Sequence, residues 1–297
     1  MCYNMCMKNY DVIVIGGGPA GASAALYCAR SGFSVCVIDG GASALLKAER
    51  IDNYYGTGGA TGAALFAAGL DQARAAGAEI LDGQVTFVSA DDGFTVSSTA
   101  GELYGKKLIV ATGASRARPK AIDDGAGISY CAVCDAFFYR KKRVGVIGAG
   151  AYARHEYETL AAVASSVALF TDGETPSFEA AETYTQKITG VKRDGEKLVG
   201  VALSDGKCVE LDGLFVAVGV AGATALAKSM GILTLGDGSI KTDGGKTNVS
   251  GLFAAGDCTS GVKQVAKAVC DGMTAGLAAI NELRGEKSGS DKRGDDK

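Results

Sequence analysis

Two stretches of the chain repeat the same order of apolar and glycine-rich segments. In the first stretch, the apolar run 11–15 predicts a buried strand, the alanine-rich run 22–30 predicts a helix, and the run 34–38 predicts a second strand that ends at Asp39. Glycines separate the first strand from the helix, as in a tight strand-to-helix turn. This order predicts a β-α-β unit.

The same order returns further along the chain. The apolar run 144–147 leads into the glycine cluster 148–153, then into a predicted helix and the strand 167–170. Alternation of strands and helices is typical of parallel sheets. We therefore expect an α/β protein with two Rossmann-like, three-layer domains of the dinucleotide-binding type.

Proline and glycine mark where the two domains exchange. Pro119 and the glycine-rich stretch 236–245 are the predicted crossing points. They give a discontinuous first domain of residues 1–117 and 241–297, with a second domain of residues 118–240 inserted into it.

The last part of the chain returns to the first domain. Residues 252–257 predict a short strand that ends in a carboxylate, and residues 263–281 predict a helix. The tail 285–297 mixes charges with Gly and Ser, so we expect it to be solvated and mobile.

Composition and charge narrow the class of protein. The 297 residues carry a net charge of −3, so we expect no binding to nucleic acid. No stretch reaches the ~18 apolar residues of a membrane span, so we expect no membrane partner either. Nine cysteines form an odd, scattered set, which favours a reducing compartment and a cytoplasmic location. A metal site that joins Cys2 and Cys6 to Cys131 and Cys134 is disfavoured, because short termini are rarely ordered. We expect no metal.

The first glycine cluster has the pattern of a dinucleotide-binding turn. It reads Gly16-Gly17-Gly18-Pro19-Ala20-Gly21 and stands between the predicted first strand and its helix. Asp39 follows near the spacing at which an acidic side chain holds a ribose hydroxyl. Strand, turn, helix and carboxylate together predict a bound dinucleotide rather than a tight turn without a ligand.

Two cysteines three positions apart indicate thiol chemistry. In Cys131-Ala132-Val133-Cys134-Asp135 the thiols can close a disulfide on one helical turn, and the adjacent carboxylate can move the proton that disulfide exchange requires. The alternatives are two packed thiols or half of a zinc site. The chain has no second pair of this kind and only one histidine, His155, which disfavours zinc.

Taken together, these motifs resemble the low-molecular-weight thioredoxin reductases from Tyr10 to Ile280. The stretches that carry the resemblance are 16–21, 51–56 (Ile-Asp-Asn-Tyr-Tyr-Gly), 111–114 (Ala-Thr-Gly-Ala), 129–140 around the cysteine pair, 253–257 (Phe-Ala-Ala-Gly-Asp) and 263–265 (Lys-Gln-Val). The resemblance implies a flavin-dependent disulfide reductase that holds FAD in its first domain and reduces thioredoxin or a thioredoxin-like protein. It also implies a homodimer.

The resemblance assigns residues to FAD. Gly16, Gly18 and Gly21 would approach the pyrophosphate, and Asp257 would approach the ribityl chain. The isoalloxazine would be lined by Lys263, Gln264 and Val265. The other expected cofactor-binding residues are Pro19, Ala20, Asp39, Asn53, Ala111, Thr112, Gly113 and Gly256.

The resemblance also assigns roles within the cysteine motif. Cys134 would face the flavin and exchange electrons with it, whereas Cys131 would attack the partner's disulfide and form a mixed disulfide. Asp135 would donate and accept the proton. The chemistry agrees, since the thiolate is the attacking species and its rate depends on the thiolate fraction.

The second glycine unit departs from the family where NADPH would bind. The expected His-Arg-Arg run is replaced by 170–176 (Phe-Thr-Asp-Gly-Glu-Thr-Pro), whose carboxylates would repel a 2′-phosphate. Tyr152 places a bulky side chain inside the glycine turn. The expected helix is missing, and the domain is shortened to a predicted hairpin of 184–189 and 199–203 with Gly195 at its turn.

These departures argue against NADPH as the electron donor and leave two alternatives. Asp172 stands at a spacing that would suit the ribose of NADH. We favour instead a degenerate nucleotide site in an enzyme that takes electrons from ferredoxin, similar to the ferredoxin-linked thioredoxin reductases of anaerobic bacteria. The basic run 140–143 could attract an acidic ferredoxin, although such a run is more often a solvated turn.

Two other functions stay open. A dithiol oxidase of the same fold would pass electrons in reverse, from a small dithiol through the flavin to oxygen. A flavoprotein that acts only as a binding module is disfavoured by the intact cysteine motif. His155 is predicted to be an ordinary helix residue.

Overall fold

The structure, a computed structural model, describes residues 7–114, 119–123, 125–218 and 223–291, and for residues 223–225 and 287–291 it describes the main chain alone. The chain divides into two compact units. The first consists of Met1–Ser115 and Met230–Lys297, and the second of Arg116–Ser229.

The chain returns to the first unit ahead of the glycine-rich stretch that suggested the exchange. Thr234 pairs with Ile240 in an antiparallel bridge, and Ile240 also pairs with Thr259. The main-chain N–H of Ile240 donates to the carbonyl oxygen of Cys258 at 2.8 Å. Backbone pairing therefore places these residues in the first unit, whereas the sequence pattern put the exchange at 240/241.

A seven-stranded sheet forms the centre of the first unit within its described residues. Numbered along the whole chain, its strands are β1 Lys8–Ile15, β2 Val35–Asp39, β3 Glu79–Asp82, β4 Val85–Asp91, β5 Gly93–Ser98, β6 Gly101–Val110 and β15 Leu252–Ala254. The order is β3-β2-β1-β6-β5-β4, and β15 pairs with the last residues of β6. All pairs are parallel except those of β5 with β4 and β6.

Three helices accompany this sheet: α1 Pro19–Arg30, α2 Gly62–Ala75 and α6 Val265–Asp291. Helix α1 begins at Pro19, inside the glycine fingerprint. Proline is well tolerated in a first helical turn, because the N–H that it lacks would have no partner there. The Ser23 hydroxyl of α1 donates to the Val269 carbonyl oxygen of α6 at 2.8 Å. The core between sheet and helices includes Val12, Val14, Ala24, Ile109 and Ala275, all without solvent exposure.

Helix α6 extends further than the sequence predicted. The sequence predicted a helix that ends at 281 and a solvated, mobile tail over 285–297, whereas the helix continues to Asp291. Residues 292–297 lie outside the described part of the chain. Lys107 explains part of the extension. Its ammonium, almost buried, lies 3.3 Å from Glu282 and 2.5 Å from Glu286, and these two carboxylates stand one helical turn apart.

The second unit contains two sheets within its described residues. The parallel sheet has β7 Ile128–Ser129, β8 Arg143–Ile147, β9 Ser166–Phe170, β10 Glu182–Tyr184 and β14 Gly213–Val216, in the order β10-β9-β8-β14-β7. The antiparallel sheet has β11 Ile188–Asp194, β12 Lys197–Leu203 and β13 Cys208–Glu210. The helices are α3 Ala132–Asp135, α4 Ala151–Ala161 and α5 Ala223–Ser229.

The segment after β9 is short of a helix, as predicted. Residues 171–181 form only turns and bends before the chain enters β10. The predicted hairpin has its turn at Gly195, where φ is +59°. Its first strand is partly wrong, because Tyr184 belongs to β10 and stacks on Phe170 with ring centroids 5.2 Å apart. The hairpin strand itself begins at Ile188.

Within the described residues, no helix combines the length and the apolar composition that crossing a membrane requires.

Candidate active site

The carboxyl ends of the first unit's parallel strands bring the predicted flavin residues together. The glycine fingerprint follows β1, Asp39 ends β2, residues 111–113 follow β6, and residues 256–257 follow β15. These strands pair in parallel, so their ends lie at one edge of the sheet. Ligands of open α/β sheets bind at this edge.

The glycines of the fingerprint meet different demands. Gly16 has a φ of +104°, and a Cβ on it would lie 2.4 Å from the Ala111 carbonyl oxygen. A Cβ on Gly21 would lie 1.8 Å from the Gly16 carbonyl oxygen. The fold therefore requires both glycines.

Gly18 is different, because the fold leaves room for a side chain there. Its φ of −64° and ψ of −177° suit any residue. A Cβ on it would meet only the Ser43 hydroxyl within 4 Å, at 3.4 Å. Gly18 is also the N-cap of α1 and supplies no side-chain cap. The space in front of the first N–H groups of α1 is thus open, which is what an anionic pyrophosphate needs.

Asp39 supports the same turn. Its side chain is almost fully buried, and Oδ1 accepts the main-chain N–H of Gly17 at 3.2 Å. Asp39, which was predicted to hold a ribose hydroxyl, therefore lies at the end of β2 and stabilises the glycine turn.

Two buried oxygen atoms at this edge have no hydrogen-bond partner within the described residues. They are Oγ1 of Thr112, just after β6, and Oδ1 of Asp257, just after β15. An unsatisfied buried polar atom costs about 1–3 kcal/mol. Such atoms commonly mark contacts that a ligand completes. The neighbouring Gly113 and Gly256 both have left-handed backbones, with φ of +74° and +79°.

The residues predicted to line the isoalloxazine lie at the start of α6: Lys263 and Gln264 directly precede the helix, and Val265 is its first residue. The Asn53 amide donates to the Gln264 side-chain oxygen at 2.9 Å, which joins the 51–60 loop to this segment. The Lys263 ammonium donates to the carbonyl oxygens of Asp257 and Thr259 at 2.6 and 2.8 Å. Segments that are far apart in the sequence therefore meet at this point of the first unit.

The second unit carries the cysteine motif at its first helical turn. Cys131 and Cys134 form a disulfide, with their Cα atoms 5.4 Å apart. Cys131 is the N-cap of α3, and its sulfur accepts the main-chain N–H of Cys134 at 3.2 Å. This N–H would stabilise a thiolate on Cys131 after reduction. Cys131 is less accessible to solvent than Cys134, since it is 4% exposed while Cys134 is half-buried.

Ser129 connects the predicted acid-base residue to the cysteine motif. Its hydroxyl donates to Oδ2 of Asp135 at 2.6 Å and accepts the N–H of Cys131 at 3.2 Å. Ser129 is 2% exposed, so this link is shielded from water. The sequence motif contained Ser129, but its residue type alone assigned it no role.

Glu156 is a site residue that the sequence reasoning missed. It lies on α4, is 3% exposed, and accepts the main-chain N–H of Ala132 in the cysteine motif. Burial raises the pKa of Glu156 to about 7, the Ala132 N–H opposes this shift, and the charge of Asp135 adds to it. A signal was present in the sequence, because Tyr152, Glu156 and Leu160 recur every four residues on one buried helix face.

Tyr152 anchors the chain just ahead of the cysteines. The ring is 3% exposed, and its hydroxyl donates to the Tyr130 carbonyl oxygen at 2.6 Å. Burial, with the nearby Glu156, raises the pKa of Tyr152 well above its ordinary value. The expectation of a bulky obstruction in an open glycine turn is therefore wrong. The residue is a buried structural contact.

The second unit's own chain lies against its glycine turn. The main-chain N–H of Ser177 donates to the Ala149 carbonyl oxygen at 2.8 Å. The Phe178 ring packs on Tyr157 of α4 at 5.7 Å, and the Tyr157 hydroxyl accepts the N–H of Ala181 at 3.2 Å. The segment that stands in place of the missing helix therefore packs beside the glycine turn and α4, where a dinucleotide would be expected.

Asp172 has contacts within its own unit. Its Oδ1 accepts the main-chain N–H of Ile188 at 2.7 Å, and the Lys187 ammonium donates to its carbonyl oxygen at 2.5 Å. The backbone of Asp172 is left-handed, with a φ of +50°. The carboxylate that suggested an NADH ribose is therefore engaged in fixing the start of β11.

Charged and aromatic side chains surround the motif unevenly. Of the basic run, Arg143 of β8 pairs with Glu182 of β10 at 2.6 Å, and residues 140–142 are exposed. Phe137 and Phe138, directly after the motif, are 76% and 69% exposed. His155 is half-buried on α4, where burial lowers the pKa of its imidazole.

A dinucleotide edge in one unit and a redox-capable disulfide in the other define a flavoprotein disulfide oxidoreductase. The family model described as pyridine nucleotide-disulphide oxidoreductase matches residues 10–272, and the chain belongs to this family. It is 34% identical to the thioredoxin reductase of Aquifex aeolicus, over 94% of this chain and 95% of that protein.

Solved structures show the same kinship. The atypical thioredoxin reductase TRi of Desulfovibrio vulgaris Hildenborough matches with a TM-score of 0.84 and 35% identity, covering 93% of this chain and 98% of that one. A ferredoxin-flavin thioredoxin reductase of Clostridium acetobutylicum matches with a TM-score of 0.74 and 30% identity, covering 94% and 99%. The protein is an oxidoreductase of the thioredoxin reductase type.

The family implies FAD, and the first unit's residues fit it. The unpartnered oxygens of Thr112 and Asp257 offer acceptors or donors for polar groups of a bound cofactor. The open position at Gly18 leaves the N-terminus of α1 free for a pyrophosphate.

Proposed function

We propose that the protein passes electrons from ferredoxin through FAD and the Cys131 and Cys134 pair to thioredoxin or a thioredoxin-like protein. FAD would bind at the carboxyl edge of the first unit's sheet and supply two-electron reduction of the disulfide. We expect a homodimer, as the family resemblance implies.

One observation carries the thiol part of the proposal. The Cys134 N–H points at the sulfur of Cys131, 3.2 Å away, and therefore favours the thiolate on Cys131. On reduction the bond between the two sulfurs breaks, leaving this thiolate and a thiol on Cys134. The Cys131 thiolate then attacks the partner's disulfide, and Cys134 closes the original disulfide again as the partner leaves reduced.

Asp135 is placed to handle protons in these steps. Its carboxylate is held by the Ser129 hydroxyl at 2.6 Å and lies next to Cys134 in the chain. A carboxylate in this position can take the proton of Cys134 as the disulfide closes and return a proton to the partner's leaving thiolate.

The exposed aromatic side chains support a protein as the electron acceptor. Phe137 and Phe138 present large apolar surfaces to solvent beside the motif, their ring centroids 6.3 Å apart. Exposed aromatic groups of this kind are enriched at protein interfaces. A small disulfide would not need them.

Ferredoxin is the proposed donor because the second unit's nucleotide features are occupied or missing. The Ser177 N–H donates to the Ala149 carbonyl oxygen in the glycine turn, which brings the protein's own chain beside it. The Asp172 carboxylate accepts the N–H of Ile188 and is thus already engaged. The missing arginines remove charge-assisted contacts worth about 1.5–3 kcal/mol each to a 2′-phosphate. NADH loses its one supporting residue in Asp172. A solved relative is itself described as a ferredoxin-flavin thioredoxin reductase.

The thiol relay is tested by trapping the partner. In Cys134→Ser, the thiolate of Cys131 should attack oxidised thioredoxin and remain linked to it, because no second thiol can resolve the mixed disulfide. Cys131→Ser is the matched control and should form no adduct. An adduct that needs Cys134 and survives loss of Cys131 would reverse the assignment.

A separate assay distinguishes reduction from oxidation. Thioredoxin thiols are counted after anaerobic incubation with chemically reduced ferredoxin and the purified holoenzyme. Oxygen consumption on adding a small dithiol, without thioredoxin reduction by any donor, would establish the dithiol oxidase instead.

A further inference from the structure

Glu156 is a buried carboxyl group that the relay described above does not use. It reaches the cysteine motif from another element, α4, and its Oε2 accepts the main-chain N–H of Ala132. Ala132 is the first residue of α3 and directly follows Cys131. An N–H at this helical position has no partner within its own helix, so the carboxyl group satisfies it.

The surroundings of Glu156 decide how it titrates. On α3 the titratable group that acts on it is Asp135. On its own helix, Glu156 raises the pKa of Tyr152, Arg154 pairs with Glu158, and burial lowers the pKa of His155. The adjoining strand β9 has the sequence Ser-Val-Ala-Leu-Phe, which does not titrate. On β8 the one charged side chain, Arg143, pairs with Glu182. Among these groups no cation offsets a negative charge on Glu156.

Reduction of the disulfide changes this balance. It places negative charge on Cys131, whose neighbour in the chain donates the N–H that Glu156 accepts. A second negative charge near a buried carboxylate favours the protonated acid. Burial already holds the pKa of Glu156 at about 7, so a modest change in local charge shifts its protonation near neutral pH.

We propose that Glu156 is a positioning and proton-holding residue of the cysteine pair: it takes up a proton when the disulfide is reduced and releases it when the disulfide forms again. The reduction then consumes two electrons and two protons, giving a Cys131 thiolate, a Cys134 thiol and a neutral Glu156. Re-oxidation by the partner's disulfide returns both protons. The inference rests on the proposed redox role of the pair.

The test is the pH dependence of the disulfide's reduction potential in the holoenzyme. The protein is equilibrated anaerobically in dithiothreitol buffers of defined ratio from pH 6 to 9, and the reduced fraction of the pair is measured by alkylation and mass spectrometry. Each extra proton taken up with two electrons shifts the disulfide-to-dithiol ratio tenfold per pH unit, or about 30 mV per pH unit.

Wild-type protein should show a steeper slope than Glu156→Gln above pH 7, by up to that tenfold factor per unit. The matched control is Glu158→Gln, on the same helix, where the carboxylate is largely exposed and pairs with Arg154. This control should keep the wild-type slope. Equal slopes in wild type and Glu156→Gln would overturn the proposal.

A second measurement covers the case in which Glu156→Gln does not fold. Infrared difference spectra of reduced minus oxidised wild-type protein at pH 8 should contain a band of a protonated carboxyl group that shifts with ¹³C-glutamate labelling. Absence of that band would also overturn the proposal. Neither measurement needs thioredoxin or ferredoxin, so failure of the proposed function would appear separately, as absent thioredoxin reduction with the slope difference intact.

Discussion

Gly18 gives the sharpest test of the FAD site, because the fold and the ligand place different demands on it. A Cβ on Gly18 would meet only the Ser43 hydroxyl, at 3.4 Å, and its φ of −64° suits any residue. The substitution Gly18→Ala should therefore be tolerated by the protein without cofactor. It should not be tolerated by a pyrophosphate resting on the N-terminus of α1.

Gly18→Ala has two opposing effects on the stability of the apoprotein and one effect on FAD binding. Alanine is a poorer N-cap than glycine, but it lowers the entropy of the unfolded chain by about 0.4–1 kcal/mol. The free energy of unfolding of the apoprotein should thus change by less than about 1 kcal/mol. Displacing the phosphate from one main-chain N–H costs about 1.5–3 kcal/mol, so the dissociation constant for FAD should rise about tenfold to 100-fold.

The assay measures FAD affinity of deflavinated protein by equilibrium dialysis and apoprotein stability by urea denaturation. Gly236→Ala is the matched control, since its Cβ would have no neighbour within 4 Å and its φ is not left-handed. Gly21→Ala should instead lose the fold, because its Cβ would lie 1.8 Å from the Gly16 carbonyl oxygen. Unchanged FAD affinity in Gly18→Ala, or an apoprotein that no longer folds, would refute this reasoning.

Three further predictions concern the second unit. Tyr152→Phe should lower the free energy of unfolding by about 1–3 kcal/mol in urea denaturation, because it leaves a buried carbonyl oxygen unpaired, whereas Tyr27→Phe on the exposed face of α1 should change little. The free energy of unfolding of the oxidised protein should fall by roughly 3 kcal/mol as pH rises from about 4.5 to about 7, because folding raises the pKa of Glu156 and the native state binds its proton more tightly. Glu156→Gln should remove this pH-dependent loss of stability. Replacing Phe137 and Phe138 by serine should raise KM for thioredoxin severalfold while leaving the flavin spectrum unchanged, and an unaltered KM would rule out their proposed contact.

Features that depend on local periodicity could be predicted from the sequence. The first strand, the glycine turn and α1 follow from apolar runs and a proline at the helix start, and the missing helix after β9 follows from the lack of any helical pattern in 171–181. The predicted start of the hairpin was wrong because the sequence pattern around Tyr184 suits both the parallel and the antiparallel sheet. Its stacking on Phe170, a tertiary contact, decides for the parallel sheet.

Features that depend on which side of a helix is covered could not be predicted in the same way. Tyr152 was expected to obstruct a nucleotide, yet its hydroxyl binds the chain ahead of the cysteines. Glu156 was missed because a single acidic residue on a helix is usually solvated. Its spacing from Tyr152 and Leu160 was the available signal, and the packing of α3 on α4 shows the burial. In the helical extension beyond Gly285, Glu286 pairs with Lys107, which is far away in the sequence.

The proposed entry of electrons from ferredoxin is tested by an anaerobic titration of the flavin absorbance band. Purified holoenzyme is mixed separately with reduced ferredoxin, NADPH and NADH, and bleaching of the band is followed with time. If electrons enter from ferredoxin, reduced ferredoxin should bleach the band rapidly and neither nucleotide should do so in excess, because the protein's own chain lies against the second glycine turn and the arginines for a 2′-phosphate are missing. Rapid bleaching by NADPH or NADH at micromolar concentration would contradict it.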